Sequence, residues 1–95
     1  MRRVYLLAYS NSFGTRDEVK ALLNDLQEVI TWRHDLPNAF YIVSETDARR
    51  LAELIHAKRG KGRFIVSEIG TNRQGWLTPE SWYLINNKRV KPKAE

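Results

Sequence analysis

The chain has 95 residues, of which 42% are hydrophobic and 28% charged, with 5 Gly and 3 Pro. That length supports one hydrophobic core and excludes a multidomain reading, and the composition excludes a disordered or collagen-like chain. Cysteine is absent, which excludes disulfide scaffolds, thiolate metal sites and cysteine nucleophiles.

No apolar run approaches the ~20 residues that span a bilayer, and the first ten residues lack a signal-peptide cleavage pattern. The expectation is a cytoplasmic protein without a membrane partner. Sixteen Lys and Arg against eleven Asp and Glu give +5. The tail, residues 88–95 (KRVKPKAE), accounts for +3 of this and leaves +2 for residues 1–87. The remaining basic concentration is Lys58, Arg59, Lys61 and Arg63 around two glycines.

Taken in chain order, residues 3–10 alternate Val4, Leu6 and Ala8 with Tyr5, Leu7 and Tyr9, which predicts a central strand apolar on both faces. Asn11, Ser12 and Gly14 break it. Thr15 with Glu18 three residues later has the form of a capping box, opening a helix over 16–29 with Val19, Leu22, Leu23, Leu26 and Ile30 at helical spacing. Residues 30–33 predict a short strand stopped by Leu36, Pro37 and Asn38, and residues 39–44 (AFYIVS) a third strand joined to it as a hairpin.

Thr46 is the expected cap of a second helix that buries Ala48, Leu51, Ala52, Leu54 and Ile55 and ends at Gly60. Residues 63–69 (RFIVSEI) predict the fourth strand. Thr78 and Pro79 then supply a cap and a first residue for a short helix carrying Trp82 and Ile85. The order βαββαβ predicts an α+β, ferredoxin-like fold: a four-stranded antiparallel sheet with two helices on one face, plus the C-terminal helix. Residues 1–87 form the expected single domain and 88–95 a basic flexible tail.

The expected helix-facing core is Val4, Leu6, Ala8, Leu22, Leu26, Phe40, Ile42, Leu51, Ile55, Phe64 and Val66. Strand register is the open variable, since a slip of one residue exchanges the faces. The other face, with Tyr5, Leu7, Tyr9, Tyr41 and Val43, then needs a cover, which the segment holding Trp76 and Trp82 or a second subunit would supply.

The catalytic inventory is short. His34 and His56 stand at no metal-ligand spacing, and His34 beside Asp35 does not make a dyad, because strand neighbours point to opposite faces. His56 near a helix end reads as a surface or capping residue. Gly60 and Gly62 follow a helix and precede a strand, the reverse of the order in a phosphate-binding loop. No serine sits in a nucleophile elbow. These residues point to no catalytic group, no metal and no cofactor.

The segments VYLLAYS (4–10), TWRHDLPNAFYIVS (31–44), RFIVSEIG (63–70) and above all QGWLTPESWYLIN (74–86) resemble the small bacterial proteins of the SinR family, which are similar in fold to the CRISPR-associated Cas-two nucleases. The resemblance covers nearly all of residues 3–87. It implies a ferredoxin-like homodimer meeting through sheet and C-terminal segments. In the Cas-two nucleases an Asp after the first strand is thought to share a metal at the dimer axis, whereas here Ser10 and Asn11 follow Tyr9 and the position has no carboxylate.

Three readings follow. The leading one is a non-catalytic dimer that binds nucleic acid through Lys58, Arg59, Lys61 and Arg63. The second is a metal-dependent nuclease in which Asp17, Asp35 or Glu45 replaces the missing acid. The third is a regulatory or protein-interaction subunit that uses the dimer surface or the Trp-containing segment.

Overall fold

The first strand, β1 (Arg3–Tyr9), is apolar on both faces, so it occupies an inner position of the sheet. A computed structural model describes residues 1–92 and gives the order β2 (Val29–Arg33), β3 (Ala39–Ser44), β1, β4 (Phe64–Glu68), with every neighbouring pair antiparallel. With α1 (Arg16–Asn24) and α2 (Ala48–Arg59) as the crossovers, this is the ferredoxin-like arrangement. A third helix, α3 (Pro79–Asn87), lies on the opposite face against β3.

Local chemistry explains the helix ends. Thr15 and Glu18 form a reciprocal capping box at the start of α1. The helix stops at Asn24, with Asp25 as its C-cap, so Leu26 is buried from the following turn rather than from the longer helix expected over 16–29. Ile30, expected on the helical stripe, lies in β2 and is exposed. For α2 the cap is Asp47 rather than Thr46: the Asp47 carboxylate accepts from the Arg50 N–H at 2.8 Å, while the Thr46 carbonyl accepts from the Tyr5 hydroxyl. Gly60 closes α2 in the left-handed region at φ 67°. Thr78 caps α3 with Pro79 in its first turn.

Two apolar clusters lie on opposite sides of the sheet. The larger joins Tyr5, Leu7, Tyr9, Phe40 and Ile42 to Val19, Leu22, Leu23 and Leu26 around α1 and to Leu51 and Ile55 of α2, with Phe64 and Val66 packed against it. The smaller joins Val4, Tyr41 and Val43 to Leu84 and Ile85 of α3, with Leu6, Ile69, Leu77 and Trp82 at its margin.

The register of β1 is therefore the reverse of the sequence expectation. Tyr5, Leu7 and Tyr9 face the two helices rather than a lid or second subunit, and Val4 and Leu6 face α3 rather than α1 and α2. The reason is cross-strand pairing: directly opposed residues share a face, and Leu7 opposes Phe40 while Tyr5 opposes Ile42. With Phe40 and Ile42 on the helix side, Tyr5 and Leu7 must join them. The bulkier set goes to the thicker core, where Tyr9 also meets Phe13 at 5.5 Å and Phe40 at 6.1 Å between ring centroids.

The tail begins engaged with the domain. Lys88 is the left-handed C-cap of α3 and its carbonyl accepts from Arg2. The last three residues of the expected flexible tail, 93–95, lie outside the described residues.

Candidate nucleic-acid interface

At one end of the sheet the chain leaves β1, enters β3 and enters β4 within hydrogen-bonding reach. Ser10 Oγ accepts from the Arg63 N–H at 3.0 Å, and the Ser10 N–H donates to the Arg63 carbonyl at 2.9 Å. Asn38, left-handed at φ 53°, donates its side-chain amide to Asn11 Oδ1 at 2.7 Å, and its carbonyl accepts from Tyr9. A small amide side chain is among the few that tolerate this conformation. Ser10 and Ser12 share a hydroxyl bond at 2.9 Å. Ser10 and Asn11 therefore fasten three strand ends together.

Cations rim this end, and the four basic residues expected there divide into two pairs. Lys58 is ion-paired with Asp25. Arg59 is mostly buried: its Nε donates to the Phe13 carbonyl at 2.8 Å, its Nη1 reaches Glu18 at 3.5 Å, and its guanidinium lies 5.8 Å from the Phe13 ring centroid. These two charges brace α2 against α1 and the β1–α1 loop. Lys61 and Arg63 are exposed and form no ion pair with a described residue.

His34 has cations nearby, Arg16, Lys20 and Arg33, that the sequence did not single out. His34 is half-buried, with Trp32 at 6.1 Å and Phe40 at 5.2 Å between ring centroids. Burial holds its imidazole below its ordinary pKa, and Arg16, Lys20 and Arg33 act in the same direction against the opposing charge of Asp35. Arg16 also acts on Tyr9, whose phenol burial pushes up. Arg16 at the start of α1 thus lies close enough to the ends of β1 and β2 to act on both Tyr9 and His34. Placing Arg16 there from sequence would have required knowing that α1 begins beside the end of β2.

The three acids considered for a rearranged metal site do not converge. Glu45 meets the N-terminal ammonium at 3.5 Å, and Asp17 lies 4.0 Å from Lys20 on the exposed face of α1. Asp35 holds the C-terminal segment: one oxygen accepts from the Tyr41 hydroxyl at 2.6 Å and the other from the Thr78 N–H at 3.0 Å. Among the described residues no group of three or more His, Asp or Glu could hold a metal ion.

Asp35 is the anchor of α3. Burial pushes its carboxyl up, but hydrogen bonds from Tyr41, Thr78 and Ser81 outweigh it and hold the group below the ordinary carboxyl value. The buried Ser81 also accepts from Arg33 Nε at 3.2 Å. Asp35→Ala is expected to cost about 1.5–3 kcal/mol, the range for hydrogen bonds to a charged group. Because the folded pKa is lowered, this stabilisation is full above the unfolded value of about 3.9 and is lost as pH falls through the lower folded value. Urea unfolding of Asp35→Asn and the parent should therefore differ at pH 7 and draw together only as pH falls below the unfolded value of about 3.9.

On the α3 side, Tyr41 and Val43 are covered by Leu84 and Ile85, and Trp82 packs at the margin. Trp76, expected as part of the cover, is 91% exposed. α3 packs on β3, and toward β4 the face remains open, with Ile65 62% exposed opposite the half-buried Ala8. Between α3 and residues 69–77 lies a groove of about 410 Å³.

Comparison of the chain with known proteins finds no matching family model, no matching curated protein and no matching solved structure.

Proposed function

We propose that this protein is a non-catalytic module that binds nucleic acid through the basic end of its sheet. The observation that carries the reading is the pair of exposed cations, Lys61 and Arg63, set beside the hydroxyl and amide groups of Ser10, Asn11 and Ser12. Arg16 adds a further cation near Tyr9 and His34, close to the end of β1. Phosphate oxygens take arginine, lysine, serine and asparagine donors, and a row of phosphates matches several cations spread along one rim.

Binding of a labelled oligonucleotide, followed by fluorescence anisotropy over a salt series, tests this. Replacing Lys61 and Arg63 together by Ala should lower the affinity and flatten the log–log salt slope by about 1.4 to 1.8, the loss of two phosphate contacts. Lys58→Ala should leave the slope unchanged, because that charge is committed to Asp25. Equal effects from the two variants would mean nonspecific attraction and would defeat the assignment.

We also infer that two copies associate across β4. The strand is at an edge of the sheet, and Ile65 stands largely exposed beside Ala8. An exposed apolar edge favours pairing, and a two-fold contact would use the same patch twice. Light scattering at tens of micromolar should give about twice the chain mass of 11.1 kDa, and Ile65→Asp about the chain mass itself. A parent of single-chain mass would remove the dimer.

A further inference from the structure

The groove on the open face has a floor of Leu6 and Tyr41, with Trp76 and Trp82 at its walls and Arg73 and Gln74 beside them. Its volume of about 410 Å³ suits a flat heterocycle more than a folded peptide element. None of the residues that line it is acidic. Its polar groups are already oriented. Arg73 donates to the Gly70 carbonyl at 2.9 Å and to Asn86 Oδ1 at 2.7 Å, which fixes the guanidinium. Gln74 Oε1 accepts from the Gly75 N–H at 2.9 Å, which fixes the carboxamide oxygen and leaves the amide N–H groups to donate elsewhere.

The groove is also joined to the basic end. Leu36 lines it, and two residues further along the same hairpin Asn38 bonds Asn11, next to the Ser10 that holds Arg63. A strand of nucleic acid with its phosphates at Lys61 and Arg63 would meet aromatic surface along this face.

We propose that the groove receives one unpaired base of a single-stranded nucleic acid, stacked on Trp76 and held at its polar edge by Gln74 or Arg73. This rests on the reading of the basic end as a nucleic-acid interface and names the form of the ligand. Charge complementarity favours this occupant: an anionic strand meets a groove with a fixed cation and no carboxylate. Aromatic platforms beside basic residues are the general means by which single strands are held, because every base has a π face. A base inside a duplex is already stacked and paired, so the groove discriminates against duplex.

Anisotropy with a labelled single strand of about twelve nucleotides, and with a duplex of the same sequence, provides the test. Trp76 is exposed, so Trp76→Ala leaves the core intact. The variant should bind the single strand about tenfold more weakly or worse, the loss of one stacked base. It should leave duplex affinity unchanged, and Trp76→Phe should restore most of the single-strand affinity. If Trp76→Ala binds the single strand as the parent does, while the Lys61/Arg63 variant is weakened, the groove proposal fails and the basic interface stands. If neither nucleic acid binds the parent, both fail. A Trp76→Ala variant that changes from two-chain to single-chain mass without loss of single-strand affinity would assign the groove to a second copy and overturn the proposal.

Discussion

Gly62→Ala should destabilise the protein by about 2–4 kcal/mol, more than its size suggests, because two separate costs coincide. Gly62 has φ +75°, a conformation that residues with a Cβ rarely adopt, and an added Cβ would overlap the backbone N and Cα of Phe13. Phe13 is itself fully buried and packed between Tyr9 and Phe64, so it cannot retreat without opening the core. Gly60 is the control. It is also left-handed at φ +67°, but the nearest atom to an added Cβ is the His56 carbonyl oxygen at 3.9 Å, so Gly60→Ala should cost only about 1 kcal/mol. Urea denaturation of both variants measures the difference. The close approach at Gly62 presses the loop bearing Lys61 and Arg63 onto the loop after β1, so the nucleic-acid binding proposed for this end should also weaken in the Gly62 variant.

Leu7→Ala should cost about 2–5 kcal/mol, the range for removing a large aliphatic group from a packed core. Leu7 is fully buried among residues under α1 and α2. Its neighbour Leu6 is chemically identical but half-buried at the margin of the smaller cluster, so Leu6→Ala should cost visibly less. The comparison reads the strand's register directly from solution stability. Equal losses at the two positions, or a greater loss at Leu6, would show that β1 is turned the other way.

That register marks the boundary between what the sequence disclosed and what it did not. The order of elements was legible because each carries a local signature: the Thr15–Glu18 box, Gly60 after α2, and Thr78 with Pro79 before α3. Local periodicity says that β1 has two apolar faces, yet it does not say which one meets the helices. That choice is made by pairing with β3, whose residues lie more than thirty positions away. Phe13 was invisible for a related reason: it stands in a polar loop and becomes core only because Gly62 and Arg59 close over it.

The candidate interface was half legible. The run from Lys58 to Arg63 is plain in the sequence, but the partners that commit Lys58 and Arg59 are Asp25 and Glu18, 33 and 41 residues distant. Arg16 and Lys20 come near His34 only through the packing of α1 beside β2. The groove near Trp76 needed α3 to be placed on β3 before it existed at all.

The two outer edges of the sheet differ in a way that bears on growth. Along β2 the pairing with β3 shifts register between Val29 and Thr31, an irregularity of the kind that makes an edge a poorer template for a regular partner. On the other side, β4 keeps an unbroken register with β1 over five residue pairs. An object with two adhesive edges polymerises, whereas one with a single adhesive edge joins once and is then consumed. In the pairing proposed across β4, the irregular β2 edges would be left outermost, where they disfavour further sheet addition.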